Sequence, residues 1–399
     1  MVSSEGSFGA RFWSLIGATF LGFLGMGTVL PGLAPHVRND LGGSDQTVGF
    51  VIGIFSCVAL AARFISGPLA DRRGRKIAFL AGLVSCALAG GTYFLPLGVA
   101  GAYLGRILQG FGEACLYTGA AAWVVEVAGI NHSAQALGFL SSGIWGGISA
   151  GPVIGQWLGT FHRAAAFQSI AALVAAATLL FIPEDFHAEP HPHGRRMIPR
   201  SVIGPGLAIG LVNVHYPVIT GFLILHLAKH GNSGPAAFSA YAAVILLSRF
   251  FLGGLPDRIH PAITFYFGLL AMAAGLCGLA LAPPRYLAIG LTGLLGFGFS
   301  FPWSAIASVV LKRTPPGARG SAVSLLSAFC DLFVGISSFA AGTIAHHLGY
   351  PWAFWMAAIA LAASALAGWR VFQRHDEPDF PPDGELDRES LVAEGIDVG

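Results

Sequence analysis

Two carboxyl groups and a few basic or imidazole groups stand where the surrounding sequence is otherwise apolar. Glu113 lies about fourteen residues into the run 100–127, and Asp331 is similarly deep in the run 319–346. At about 1.5 Å rise per helical residue, both fall near the middle of a hydrocarbon layer roughly 30 Å thick. An ionised carboxylate at that depth costs roughly 2.5–3.5 kcal/mol even on permissive insertion scales, so such groups face a water-filled space, pair with a base or carry protons. Burial disfavours the ionised form of a carboxyl group, which suits it to proton uptake and release. Arg106 precedes Glu113 by seven residues, two helical turns on roughly the same face. It is therefore a structural ion-pair partner or a proton-relay partner. His215, between Asn213 and Tyr216 near the middle of the run 201–228, titrates close to physiological pH if it is not simply a packing residue. Tyr117, Trp145 and Trp303 offer aromatic walls for a cationic or amphipathic solute through cation–π contact, or serve as apolar bulk.

The elements that must position these groups follow from composition. The chain of 399 residues is 54% hydrophobic and only 11% charged, with a mean hydropathy of +0.69; soluble domains carry about 25% charged residues. A soluble enzyme, a disordered chain and a coiled coil are excluded, and a net charge of +2 gives no case for nucleic acid. Apolar runs at 12–35, 47–70, 77–96, 100–127, 134–160 and 164–182, then 201–228, 236–255, 262–282, 286–311, 319–346 and 352–372, predict twelve transmembrane helices. The runs are continuous and too long for barrel strands. The first lacks a small-residue cleavage site and is expected to stay as a span. Cys57, Cys86, Cys115, Cys277 and Cys330 all fall in apolar runs and imply no disulfide framework.

The division is predicted as a six-helix bundle at 1–183, a cytoplasmic linker at 184–200, a second six-helix bundle at 201–373 and a disordered acidic tail at 374–399. Linker histidines His187, His191 and His193 sit in a proline-broken stretch with poor geometry for a metal, so no metal site is expected. With the amino terminus inside, fifteen Lys and Arg residues fall on the cytoplasmic side and four outside. That asymmetry places both termini in the cytoplasm. Residues 62–72, ARFISGPLADR, align with 248–258, SRFFLGGLPDR, which ends in Asp257 and Arg258; the offset is 186. The same offset carries Gly110-Phe111-Gly112 onto Gly296-Phe297-Gly298. Parallel repeats of this size place substrate sites at the interface between halves and favour alternating access by rocking. Gly147, Gly151 and Gly155 recur every four residues and predict one close-packing helical face, with Pro152 removing a backbone donor beside it.

The segment Gly67-Pro68-Leu69-Ala70-Asp71-Arg72-Arg73-Gly74-Arg75-Lys76 resembles the signature loop of the major facilitator superfamily. Arg106 to Ala114, RILQGFGEA, is similar to the family's fourth-helix motif. Gly147 to Gly155 resembles the glycine–proline motif of proton-exchanging exporters, with Gln156 where a further glycine is usual. The whole chain through Trp369 is most similar to bacterial drug/proton antiporters of the arabinose-efflux-like permease group. In the signature loop, Gly67 would permit close helix approach, Gly74 a turn, and opposed Asp71 and Arg75 a charge lock. The resemblance implies that Asp71 engages the start of the eleventh helix and that Arg75 reaches an acid at the end of the fourth, for which Glu126 is the candidate. It implies a role for the glycine–proline face in suppressing proton leak. The same cluster of basic residues also enforces topology.

The function expected from the resemblance is proton-coupled efflux of a small organic solute across a bacterial inner membrane, with uptake symport or facilitation by the same fold as the alternative. Protons, solute and lipid would be the partners, the proton gradient the energy source, and no cofactor would be needed. A twelve-helix unit completes its own pathway, so a monomer suffices. A membrane enzyme would need convergent nucleophiles, metal ligands or phosphate-binding groups; the sequence has no HExxH, P-loop or Cys/His cluster.

Overall fold

The computed structural model describes residues 8–129, 132–184, 200–231, 234–252, 259–314 and 319–373. Asp257, Arg258, the linker histidines and the acidic tail lie outside them. The first six membrane passages are α1 (Ala10–Pro35), α2 (Asp45–Arg73), α3 (Arg75–Thr92), α4 (Val99–Ala128), α5 (Ser133–Trp157) and α6 (Phe161–Leu180). The second six are α7 (Arg200–Asn213) with α8 (His215–Lys229), α9 (Gly234–Leu252), α10 (Pro261–Ala280), α11 (Arg285–Phe299) with α12 (Pro302–Lys312), α13 (Arg319–His347) and α14 (Tyr350–Gln373). Nine helical passages among the described residues are long and apolar enough to cross a membrane, and α3, α4 and α9 pack among them.

Two continuous runs are broken. Val214 separates α7 from α8, and Ser300-Phe301 separate α11 from α12. Pro217 and Pro302 follow these breaks and supply no backbone N–H, so the ladder slips to shorter bonds, Val214 N to Leu211 O at 3.3 Å and Ser300 N to Phe297 O at 3.1 Å. The predicted 67–76 loop is also corrected. α2 runs on through Arg73 and α3 starts at Arg75, leaving only Gly74 between them at φ +112°, a conformation that favours glycine. Gly67 meets nothing within 4 Å and mediates no close approach here.

Packing inside each bundle depends on backbone-to-backbone approach at small residues, the usual means of helix association where lipid removes the hydrophobic drive. A Cβ on Gly147 would lie 2.6 Å from the Phe20 carbonyl oxygen and one on Gly151 2.6 Å from the Gly27 Cα, while Gly155 abuts the Thr28 carbonyl. The glycine face of α5 is thus set against α1. The internal repeat is repeated in the packing. A Cβ on Gly82 would lie 2.7 Å from the Gly112 carbonyl oxygen, where α3 meets α4, and one on Gly268 2.7 Å from the Gly298 carbonyl oxygen, where α10 meets α11. Gly110 packs on the Phe55 carbonyl as Gly296 packs on that of Tyr241. Each pair is related to its counterpart by 186 residues.

Gly151→Val should therefore lower the thermal midpoint of the detergent-purified protein, because overpacking a fitted contact costs about 1–3 kcal/mol. Gly138→Val, at a position with nothing within 4 Å, is the control and should leave the midpoint nearly unchanged. Equal effects of the two substitutions would contradict the assigned packing.

Candidate functional site

α2, α4 and α13 converge at mid-passage on one guanidinium. Arg63 Nε and Nη2 donate to Asp331 Oδ2 at 3.0 and 2.8 Å, and Nη2 lies 3.8 Å from Glu113 Oε1. The Arg63 Cζ stands 5.3 Å from the Tyr117 ring centroid. With both acids ionised, the triad carries one negative charge in excess, and a single proton neutralises it. The second oxygen of Glu113 has no hydrogen-bond partner. The three side chains are mostly buried and keep 18% (Arg63), 15% (Glu113) and 21% (Asp331) exposure. Arg63 and Asp331 belong to different bundles, and their bond joins the halves.

Glu113 and Asp331 were legible as intramembrane acids; Arg63, which holds them, was not singled out. Its available signal was a charge inside an apolar run that also recurs in the repeat. The Arg106–Glu113 pair does not form. Arg106 is instead buried inside the first bundle, where it donates to the Gln109 side chain and to Val51 O at 3.3 Å and lies 4.3 Å over the Phe55 ring. Gln109 donates to Gln168 Oε1 at 3.3 Å and Gln168 to Cys86 O at 2.9 Å, closing a polar chain within one bundle.

A second guanidinium occupies the repeat-related position. Arg249 Cζ stands 3.9 Å from the Trp145 ring centroid and 5.9 Å from that of Phe299. Beside it His215 is fully buried, with Nδ1 2.7 Å from Val212 O and Nε2 2.8 Å from Tyr241 Oη, so both ring nitrogens are engaged. Trp303 packs partly buried against the core of the second bundle.

At the face bearing Gly74, Arg75 pairs with Glu126, while Asp71 and Arg72 are exposed. The lock of Asp71 against Arg75 is thus replaced by Arg75 with Glu126. Glu184, which sequence reasoning assigned only to the linker, accepts from the backbone N–H of Arg75 at 2.6 Å and of Lys76 at 3.1 Å. It satisfies the orphan donors at the start of α3. On the opposite face Gly49 and Gly342 bring α2 and α13 into backbone contact, with a Cβ on Gly49 2.7 Å from the Gly342 Cα. Tyr350 Oη donates to Asp45 Oδ1 at 2.9 Å, Arg38 Nε lies 3.2 Å from the same carboxylate oxygen, and Gln46 Nε2 lies 3.3 Å from His347 Nε2. Gln156 donates to the Pro235 carbonyl and accepts from Ser239 Oγ at 2.6 Å. The side chain that departs from the glycine–proline motif thus bridges α5 to α9. Among the described residues no cluster of three or more His, Cys, Asp or Glu could hold a metal ion.

Two six-helix bundles joined by charge at mid-membrane and by glycine contacts at one face define a polytopic membrane transporter rather than an enzyme. The Major Facilitator Superfamily profile matches residues 15–234 and 218–395. The chain belongs to that superfamily. It is 28% identical over 379 residues to an uncharacterised MFS-type transporter of Burkholderia mallei (strain SAVP1), covering 90% of this chain and 92% of the relative. It is likewise 28% identical over 373 residues to one of Salmonella typhimurium, covering 89% and 93%. Among solved structures it superposes on a D-xylose-proton symporter with a TM-score of 0.77 at 15% identity, covering 93% of this chain and 100% of that one. A bacterial homologue of the human lysosomal transporter Spinster, inward-facing and unoccupied, gives 0.76 at 17% identity, covering 94% and 100%. At these identities the structures share the fold.

The Arg75–Glu126 pair predicts a reciprocal rescue. Arg75→Glu and Glu126→Arg should each lower the thermal midpoint, and the double swap should recover most of the loss. A double variant no more stable than the worse single one would remove the pair from the account.

Proposed function

We propose that this chain is a proton-coupled exporter of a small organic solute that works by alternating access in a bacterial inner membrane. The observation that carries the reading is the Arg63–Asp331 bond between bundles, with Glu113 beside it. A proton on either carboxyl group removes the excess negative charge, and one on Asp331 weakens the charge-assisted contact that holds α2 to α13, while a charged Glu113 beside it competes for Arg63. The bundles are then free to rock, and return of the proton to water restores the bond. Polar contacts at Asp45, Gln46 and Gln156 close one face. This state is read as open to the face bearing Gly74, which the basic residues of α2 and α3 assign to the cytoplasm. Both termini then lie inside. A single twelve-helix chain forms the pathway, with Asp71 and the Arg75–Glu126 pair as its cytoplasmic gating elements. The exporter direction rests on the glycine–proline face of α5.

Inverted vesicles with an imposed pH gradient test both parts. Gradient-driven accumulation of a membrane-impermeant dye or metabolite is expected for the native chain. A charge-assisted hydrogen bond is worth about 1.5–3 kcal/mol, so Asp331→Asn should slow it by roughly ten- to a hundredfold, and Glu113→Gln, which removes the excess charge without breaking that bond, should slow it as well. Exchange in the absence of a gradient should survive better than gradient-driven transport. Full gradient-driven transport by both variants would defeat the proton-coupling assignment, and movement of solute and proton in the same direction would make the protein a symporter.

A further inference from the structure

The 186-residue offset that carries Arg63 onto Arg249 also carries Glu113 onto Phe299 and Trp145 onto Asp331. Two arginines at equivalent depths thus have equivalent neighbours of opposite chemistry. Arg63 has a carboxylate on each side; Arg249 has an aromatic ring in each of those places. Among the described residues Arg249 has no ion pair, and its buried Nε has no hydrogen-bond partner. Its other ionisable neighbours, Tyr241 and His215, are bonded to each other and bring no negative charge at neutral pH. An uncompensated guanidinium in a low-dielectric site is costly, and ring faces return only part of that cost. A guanidinium over a ring still directs its N–H groups outward in its own plane, in the fork that matches a carboxylate or phosphonate.

We propose that Arg249, clamped by Trp145 and Phe299, binds the anionic group of the transported solute, a carboxylate or a phosphate-type oxyanion on a small organic molecule. The proposal rests on the transporter reading and narrows its solute class; it does not depend on proton coupling. The two rings hold the guanidinium in place. A bound carboxylate supplies the counter-charge that Asp331 supplies to Arg63. Trp145 comes from the first bundle and Arg249 from the second, so the bound anion sits at the seam that opens and closes. The aromatic residues that suggested a cationic solute are here the support of a cation belonging to the protein.

The full chain in phosphatidylcholine nanodiscs, without any gradient, is titrated with benzoate, phenylphosphonate, benzamide and benzylamine while its thermal midpoint is followed. Saturable stabilisation by at least one of the two anions is expected, with none from the neutral amide or the amine. Arg249→Gln should weaken the effective anion by at least about tenfold, the loss of a charge-assisted bidentate contact. Arg249→Lys keeps the charge and loses the fork, and should fall between. Arg285→Gln, at an exposed arginine, should bind as the native chain does. Should Arg249→Gln not fold, Arg249→Lys and the four-ligand comparison on the native chain decide. Stabilisation by benzamide equal to that by benzoate, no stabilisation by either anion, or undiminished binding by the Arg249 variants would overturn the proposal. Because no gradient is present, failure of proton coupling in vesicles leaves this result standing, and failure here leaves the coupling result standing.

Discussion

A guanidinium keeps its charge at any physiological pH, so an arginine at mid-membrane must be compensated by something in the protein. This chain answers the constraint in three ways. Arg106 is surrounded inside one bundle by an amide, a backbone carbonyl and a ring. No change in how the bundles meet need disturb that arrangement, which suits it to structure. Arg63 is compensated by carboxylates, one of them from the other bundle. Its compensation therefore depends on how the halves meet and on whether those acids hold protons. Among the described residues Arg249 stands over two ring faces and has no ion pair.

The rest of the architecture makes that dependence useful. Within each bundle the helices touch backbone to backbone at Gly82, Gly112, Gly151, Gly268 and Gly298, and contacts so close leave little room to deform. In the proposed cycle a change of charge at the seam would then be relieved by movement of one bundle against the other rather than by loosening within either. The bundles meet mainly along α2 with α13 and α5 with α9, with smaller contacts of α8 on α1 and α2.

Much of this was legible in the sequence because it is written locally. The runs of apolar residues define the passages, the four-residue glycine spacing defines the face of α5 that meets α1, and the 186-residue offset appears again in the packing of α3 on α4 and of α10 on α11. What escaped depends on chain separation. Arg63 finds Asp331 across 268 residues, and no local spacing announces such a partner. Arg106 lies two turns from Glu113 and was paired with it for that reason, yet neighbouring helices present Val51 and Phe55 to it instead. The breaks at Val214 and Ser300 were overlooked because hydropathy runs straight through them and only Pro217 and Pro302 mark them.

Gln156 shows how a duplicated fold acquires direction. The two seams at the closed face, α2 with α13 and α5 with α9, are equivalent under the repeat, but they are built differently. The first sets Gly49 on the Ser338 and Gly342 backbone, with Gln46 Nε2 3.3 Å from His347 Nε2 at its end; the second is held by the Gln156 side chain between Ser239 and the Pro235 carbonyl. Hydrogen bonds in either seam can be exchanged for water at little net cost, whereas the α2–α13 seam would also give up backbone dispersion contacts at Gly49 that single water molecules do not replace. In the proposed cycle the α5–α9 side would accordingly be the easier to part and the α2–α13 side the hinge. Arg249 and Trp145 lie on the easier side and Arg63 and Asp331 on the hinge side, so the seam that would admit a solute is distinct from the one that would register a proton.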